Sequence, residues 1–295
     1  MKEKKISFAL IGGRKGEHID DLIAEIEKID NLATHINIKD LVLVSSENGF
    51  DVFYEGKSIL EFDVFILRSA FRFLKNEMCI TANFLLKKEK IVIDQIIGEN
   101  YIAGKMYESY LLSQAGIASP LTMQIFTDEN KDKISEKINF PIVAKPIVGS
   151  KGRGVQKIEN KEELEKFKII EDADKFLFQE YIPIGYDIRV FVVGGEALGA
   201  MKRFVGKDDF RSNASLGSVV EKMELTPSLR DLAVKAVEAY QYEVAGVDIV
   251  IDDGKEYVLE VNNAPQWSAF KRITGINPAQ KIIEYALNKY NNKHK

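Results

Sequence analysis

The sequence is poor in the side chains that carry out covalent catalysis. It has one cysteine, Cys79, and three histidines, His18, His35 and His294, among 295 residues. A single cysteine excludes an intramolecular disulfide framework and a cysteine-rich zinc site. No serine–histidine–aspartate or cysteine–histidine pattern is present, so the sequence offers no candidate nucleophile of those classes.

Long apolar runs are also absent. The N-terminal run Ile6–Ile11 is too short for the apolar region of a signal peptide, and no stretch approaches the roughly 20 apolar residues of a membrane span. The net charge of −4 argues against bulk nucleic-acid binding. We therefore predict a cytoplasmic protein with two domains, or one core with a mobile subdomain. The sequence leaves open whether it is a monomer or a homo-oligomer.

The N-terminal third alternates short apolar strands with helices, which indicates a parallel sheet covered on both faces. The loop Gly12–Gly16 lacks the glycine spacing of a dinucleotide fingerprint. Arg68 follows the strand Val64–Leu67, at the strand end where open α/β sheets bind ligands. Without further support, we interpret Arg68 as a surface arginine. The alternative is that Arg68 contacts a ligand.

Residues 245–265 contain the most informative pattern in the sequence. Two apolar strands, Gly246–Ile251 and Glu256–Val261, flank the turn Asp252-Asp253-Gly254. Asp-Gly supplies the positive φ angles of a tight hairpin turn. The sequence therefore predicts a hairpin here.

Three oxygen-bearing side chains interrupt these strands. Glu260 and Asn262 share one face because side chains alternate along a strand. Asp248 lies opposite Glu260 if the loop holds an odd number of residues, and two facing carboxylates repel. A divalent cation removes that conflict, and oxygen ligands favour Mg²⁺. The alternative is a solvent-facing hairpin with scattered acidic residues.

Cationic residues and glycines lie upstream of this hairpin. Lys145 ends an apolar strand, and the loop Gly149–Gly154 follows it with three glycines and two cations. Such a loop suits backbone contacts to phosphate, although it is not a Walker P-loop. A glycine-rich hairpin without a ligand is the alternative.

Three arginines come from neighbouring segments around a second hairpin. Arg189, Arg203 and Arg211 are suited to bidentate recognition of phosphate or carboxylate. The alternative is three surface arginines with local acidic partners. The predicted strand 176–182 has backbone groups that can pair with an adenine. The alternative is an ordinary strand without a ligand.

Together these stretches resemble the ATP-grasp superfamily, and within it the RimK-like ligases that modify ribosomal protein S6 with glutamate. The resemblance covers roughly residues 95–285 and is most specific in DIRVFVVGGEALGAMKR, DDFRSN, VAGVDIVI and VLEVNNAP. It implies an α/β fold with a pre-ATP-grasp domain (1–95), a small lid subdomain (96–182) and a C-terminal subdomain with the metal site (183–295).

The resemblance also implies roles for matching positions. It implies that nucleotide-binding residues are Lys105, Lys145, Gly149, Ser150, Gly152, Gly154, Glu180, Tyr181, Ile182, Asp187 and Arg189. It implies that Asp248, Glu260 and Asn262 are metal ligands for two Mg²⁺ or Mn²⁺ ions. Positions near the γ-phosphate and the reacting carboxylate match Arg203, Arg211 and Asn213.

The activity implied is ATP-dependent amide formation between an amino acid, favouring L-glutamate, and a carboxylate of a protein, peptide or cofactor. Two departures concern the substrate region. Relatives carry paired glycines where this chain has Gly217-Ser218, and a glycine with a small apolar residue where it has Gln266-Trp267. A ligase for another amino acid and a non-catalytic ATP-binding regulatory module are the alternatives.

Overall fold

The computed structural model describes residues 5–47, 49–69, 72–99, 104–147, 154–168, 176–183, 185–205 and 219–295. Five of the predicted site residues lie outside these ranges: Gly149, Ser150, Gly152, Arg211 and Asn213. The departure at Gly217-Ser218 lies outside them as well.

Within the described ranges the strands are β1 (Ser7–Gly12), β2 (Leu32–Asn37), β3 (Leu41–Ser46), β4 (Gly49–Tyr54), β5 (Lys57–Ser58), β6 (Val64–Leu67), β7 (Ile91–Ile93), β8 (Thr122–Gln124), β9 (Ile142–Pro146), β10 (Gln156–Ile158), β11 (Phe176–Glu180), β12 (Tyr186–Val193), β13 (Glu196–Phe204), β14 (Val220–Met223), β15 (Val244–Asp252) and β16 (Lys255–Asn262). The α-helices there are α1 (Glu17–Lys28), α2 (Lys75–Lys87), α3 (Ile96–Glu99), α4 (Lys105–Gln114), α5 (Lys131–Lys137), α6 (Lys161–Lys166), α7 (Pro227–Tyr240), α8 (Ser268–Thr274) and α9 (Pro278–Lys293).

The N-terminal part contains the predicted parallel sheet, in the order β2-β1-β6-β7. Its strands are buried on both faces, which explains the continuous apolar runs of β1 and β6. The sequence predicts short strands near residues 41–44 and 52–54 within the alternating pattern of the parallel sheet, and this prediction is wrong in one respect. Both segments are strands, but β3 and β4 form an antiparallel hairpin in a separate sheet with β5.

The middle part is an antiparallel sheet in the order β10-β9-β11-β8. Apolar side chains of the sheet pack against Ile134 of α5 and Leu164 of α6. Lys145 lies on β9 and pairs in register with Leu177 of β11. The pairing with β11 therefore positions the backbone of this lysine, whereas β10 pairs only with residues 142–144 of β9.

The C-terminal part is an antiparallel sheet in the order β14-β13-β12-β15-β16. One face packs against α7. The other face shares a core with the parallel sheet, α1, α8 and α9, in which Phe191 and Trp267 meet Leu10 and Ile66. The carboxyl ends of the parallel strands therefore lie close to the segment that follows β16.

Local signals explain the helix starts of this part. The pair Thr226-Pro227 predicts a helix start, and the Thr226 hydroxyl accepts a hydrogen bond from the Leu229 amide (3.3 Å), with Pro227 in the first turn. The pair Asn277-Pro278 predicts a last helix to about Tyr290 with a frayed tail; α9 begins after Asn277 but continues to Lys293. Among the helices described above, none is long and apolar enough to cross a membrane.

Candidate active site

The hairpin β15–β16 contains the predicted carboxylate pair. Asp248 pairs in register with Glu260, and Gly246 pairs with Asn262. The turn has two residues, Asp253 and Gly254, both with positive φ (46° and 75°), so the Asp-Gly signal is confirmed. The odd loop length expected for this pairing is wrong, because a β-bulge between Asp248 and Ile249 supplies the register shift instead. The Asn262 Nδ2 lies 3.5 Å from Asp248 Oδ2. Two carboxylates and an amide therefore meet at one end of the hairpin.

Asp248 is buried and is held by two arginines. Arg189, its register neighbour on β12, donates from Nε to Oδ1 and from Nη2 to Oδ2 (2.8 Å). The Arg203 Nη2 lies 2.9 Å from the same Oδ2. Burial acts to raise the pKa of Asp248, but the two arginines outweigh it and hold the pKa below its usual value. This carboxylate is therefore ionised at neutral pH.

Arg203 extends the pairing to a second buried aspartate. It faces Asp187 across the β12–β13 register and donates from Nε to Oδ1 (2.6 Å) and from Nη2 to Oδ2. All four members, Asp187, Arg189, Arg203 and Asp248, are less than 10% exposed. We call this group the arginine–aspartate network. The structure thus joins four predicted site residues, and it pairs them with one another.

The donor types of Asp248, Glu260 and Asn262 suit a magnesium ion, although both oxygens of Asp248 already accept hydrogen bonds from arginines. Glu260 is exposed, and its carboxylate forms no ion pair in the described part of the chain. Carboxylate and amide oxygens are the ligands that Mg²⁺ takes, and it completes its shell with water and phosphate. No cluster of three or more His, Cys, Asp or Glu able to hold a metal is found in the described ranges. A metal ion held by Asp248 and Glu260 would therefore need further ligands from outside this pair.

Two lysines approach this hairpin from the middle sheet and α4. The Lys105 Nζ donates to the Pro146 carbonyl (3.0 Å), and the Lys145 Nζ donates to Gln179 Oε1. Burial lowers the pKa of Lys145 to about 8, although the charge of Glu260 acts in the opposite direction. The lysine charges therefore lie within electrostatic reach of the carboxylate hairpin.

The predicted adenine segment lies at the end of β11. Glu180 pairs with Leu121 through both its amide (2.9 Å) and its carboxylate, whose Oε2 accepts from the Leu121 amide (3.3 Å). The Lys157 Nζ lies 4.4 Å from the centroid of the Tyr181 ring, and Ile182 is buried. Gly154 has a φ of +73°, and a Cβ there would lie 2.9 Å from Pro146 Cγ. The backbone of this loop end therefore packs closely on β9.

Glu108 is a charged residue near the lysines that sequence reasoning missed. It lies one turn after Lys105 on α4. Burial raises the pKa of Glu108 to about 7, and the charge of Glu260 acts in the same direction. Its spacing of three residues from Lys105 is the signal that could have identified it.

Arg68 corrects the expectation of a surface arginine. Its side chain is buried, its Nη2 donates to the Pro265 carbonyl (2.6 Å), and its guanidinium lies 4.8 Å from the centroid of the Trp267 ring. The sequence alone is compatible with Trp267 in a substrate pocket or in the core. In the structure Trp267 is fully buried and donates from Nε1 to Asp21 Oδ2 (2.9 Å). Trp267, one of the two residues that depart from the family pattern, thus forms a core contact with Asp21 and Arg68 of the N-terminal part.

Comparisons with known proteins identify the family of the chain. A family model described as a RimK-like ATP-grasp domain matches residues 103–286. The "Probable alpha-L-glutamate ligase 1" of Shewanella sp. (strain ANA-3) is 33% identical over 275 residues, which are 90% of this chain and 89% of that protein.

Two solved structures share the fold. The ATP-grasp ligase PsnB, complexed with minimal precursor, Mg and ADP, has a TM-score of 0.73 and 17% identity, over 96% of this chain and 98% of that one. The RimK domain protein ATP-grasp from Sphaerobacter thermophilus DSM 20745 has a TM-score of 0.71 and 19% identity, over 95% and 98%. With a family match over more than half of its length, the chain belongs to the RimK-like ATP-grasp family.

Proposed function

We propose that the protein is an ATP-dependent carboxylate–amine ligase that adds an amino acid, L-glutamate in the first instance, to a carboxylate of a protein, peptide or cofactor. The observation that carries this proposal is the facing pair Asp248 and Glu260, with Asn262 beside them. Lys145 lies within electrostatic reach of Glu260, and Lys105 within reach of Lys145. Such a set can hold Mg²⁺ and a polyphosphate between anionic and cationic walls.

The reaction proceeds in two displacements. An oxygen of the acceptor carboxylate attacks the γ-phosphorus of ATP, which forms an acyl phosphate and releases ADP. The amine nitrogen of the amino acid then attacks the acyl carbon, the amide forms, and inorganic phosphate leaves as the amine loses a proton. Bound Mg²⁺ neutralises negative charge on the phosphates.

The side chains of the chain position and neutralise, and none needs to form a covalent bond. Lys105 and Lys145 offer ammonium groups to the phosphates, replacing their present partners Pro146 and Gln179. Arg203, held by two buried aspartates, presents a fixed cation beside the carboxylate pair. We also propose Arg211 and Asn213 as partners of the reacting groups, following the family pattern.

The nucleotide-binding roles of the remaining positions belong to the same proposal. We assign nucleotide contacts to the loop Gly149–Gly154, to the linker Glu180–Ile182 and to Asp187 and Arg189. We propose that two metal ions bind, Mg²⁺ or Mn²⁺. We also propose that the reaction takes place in the cytoplasm.

The domain division of the sequence-based prediction is part of this proposal too. The three main sheets support it, because their strands fall within residues 1–95, 96–182 and 183–295 respectively. ATP would bind between the second and third units.

L-Glutamate is favoured as donor because the Shewanella relative carries the name of a glutamate ligase. A peptide acceptor is supported by the PsnB complex with its minimal precursor. The Gln266-Trp267 departure argues for testing other amino acids as well.

The experiment is ADP release with Mg²⁺-ATP across the twenty amino acids, alone and with glutamyl peptides, with products identified by mass. We expect a product heavier by one amino-acid residue and one ADP per amide. ATP binding without ADP release in any mixture would instead favour a non-catalytic regulatory module. The Glu260→Gln variant serves as the matched control, because it removes one carboxylate from an exposed position.

A further inference from the structure

Arg68 is a buried cation without a carboxylate partner. It follows β6 at the carboxyl end of the parallel sheet and is 5% exposed. Its Nη2 donates to the Pro265 carbonyl, but its Nε is buried and has no hydrogen-bond partner among the residues that the structure describes. Across the described ranges no carboxylate forms an ion pair with it. A donor on a charged group is thus left unsatisfied in the interior.

Such an arrangement is costly unless a ligand completes it. Removing a charge and a donor from water without a partner costs free energy, and buried charges in proteins are normally paired. Burial lowers the pKa of Arg68 to about 10, although Asp94 acts in the opposite direction, so the guanidinium is charged at neutral pH. A neutral donor could make the Pro265 contact alone. The face of the Trp267 ring and the charge of Asp94 offset part of the cost of burying the charge, but neither accepts a hydrogen bond from the Arg68 Nε.

Arg68 lies one layer of residues away from the carboxylate hairpin. Its partner Pro265 packs on Gly246, since a Cβ at Gly246 would lie 3.0 Å from Pro265 Cβ and 2.9 Å from Arg189 Cδ. Gly246 pairs with Asn262, and Arg189 holds Asp248. Arg68 is thus close to the proposed reaction centre and separated from it by Pro265.

We propose that Arg68 binds the carboxylate of the incoming amino acid, on the strength of its unpartnered Nε and its position beside the carboxylate hairpin. The inference rests on the proposed function and names the substrate group recognised there. The acceptor carboxylate must reach the γ-phosphate, whereas Arg68 is set back behind Pro265. The carboxylate held at Arg68 is therefore the one that is not phosphorylated, and its binding aims the amine toward the acyl phosphate.

The test compares Arg68→Met and Arg68→Lys with Trp267→Phe, which disturbs the same packing without removing a charge. Steady-state ADP release gives separate KM values for ATP, for the acceptor peptide and for L-glutamate, or for whichever amino acid supports turnover. We expect Arg68→Met to raise the amino-acid KM roughly 10- to 100-fold, as for loss of a hydrogen bond to a charged group, with the ATP KM unchanged. Arg68→Lys should recover part of the loss.

A substrate analogue sharpens the assignment. The wild type should discriminate L-glutamate from its α-carboxamide, L-isoglutamine, or from its side-chain amide, L-glutamine, and Arg68→Met should abolish that discrimination. An unchanged amino-acid KM, a parallel rise of all KM values matched by Trp267→Phe, or a rise confined to the acceptor would overturn the inference while the ligase reaction stands. Absence of amino-acid-dependent ADP release in the wild type would refute the proposed function itself.

Discussion

Neutralising the two facing carboxylates one at a time should affect stability very differently. Asp248 is buried between Arg189 and Arg203, whereas Glu260 is exposed and forms no ion pair in the described part of the chain. Removing one partner of a buried ion pair costs about 3–5 kcal/mol. Asp248→Asn keeps the size and one acceptor oxygen, and Arg203 keeps Asp187, so we expect about 3 kcal/mol, the low end of that range. Glu260→Gln should change stability by less than about 0.5 kcal/mol.

Equilibrium urea unfolding at pH 7 measures both values. The chain has one tryptophan, Trp267, which is fully buried where the parallel sheet meets the segment after β16. Its fluorescence therefore reports unfolding of the shared core. If the proposed function is right, both variants also lose turnover by orders of magnitude. Equal unfolding free energies for the two variants would refute the role given to the arginine–aspartate network.

The pH dependence of the unfolding free energy provides a second check on the role of Asp248. The pKa of Asp248 is lowered in the folded state, so its stabilising contribution is present above its unfolded value of about 4. That contribution is lost as the pH falls through the lower folded value. The difference between wild type and Asp248→Asn should therefore persist from pH 7 to pH 5 and shrink below about pH 4.

Three further outcomes are expected. The pKa of Lys145 is about 8 in the free protein, so kcat/KM for ATP should fall above that pH, whereas binding of an uncharged adenosine analogue should not. Burial raises the pKa of Asp94 to about 7, so its contribution to stability is lost progressively as the pH rises from the unfolded value of about 4 to about 7. Asp94→Asn should therefore raise the thermal midpoint relative to wild type, and by more at pH 8 than at pH 5. Gly246→Ala places a Cβ 2.9 Å from Arg189 Cδ, which should cost about 1–3 kcal/mol in unfolding free energy. An unchanged midpoint for that variant would contradict the packing described.

Features set by nearby residues were predictable from the sequence. The hairpin around Asp253-Gly254, the helix start at Thr226 and the parallel arrangement of β1 and β6 follow from turn chemistry, capping and apolar runs. The facing of Asp248 and Glu260 does not follow from the turn length, because the turn has two residues; a β-bulge between Asp248 and Ile249 shifts the register and brings Glu260 opposite Asp248.

Features set by distant residues were not predictable in this way. The pairing of Arg189 with Asp248 depends on the register of β12 with β15, which are 59 residues apart at that pair. The burial of Arg68 depends on Pro265 and Trp267, which no local pattern links to β6. The strand β2 has the sequence LATHIN, whose apolar content is low, and it forms because β1 offers it an edge.

The central claim, activation of a carboxylate by phosphorylation, is tested most directly by isotope transfer. An acceptor peptide with its carboxylate labelled with ¹⁸O is incubated with the protein, Mg²⁺-ATP and the amino acid, and the inorganic phosphate is analysed by mass. An acyl phosphate intermediate predicts one ¹⁸O atom in each phosphate released, with ADP as the other product. Unlabelled phosphate, or AMP with pyrophosphate, would contradict the account.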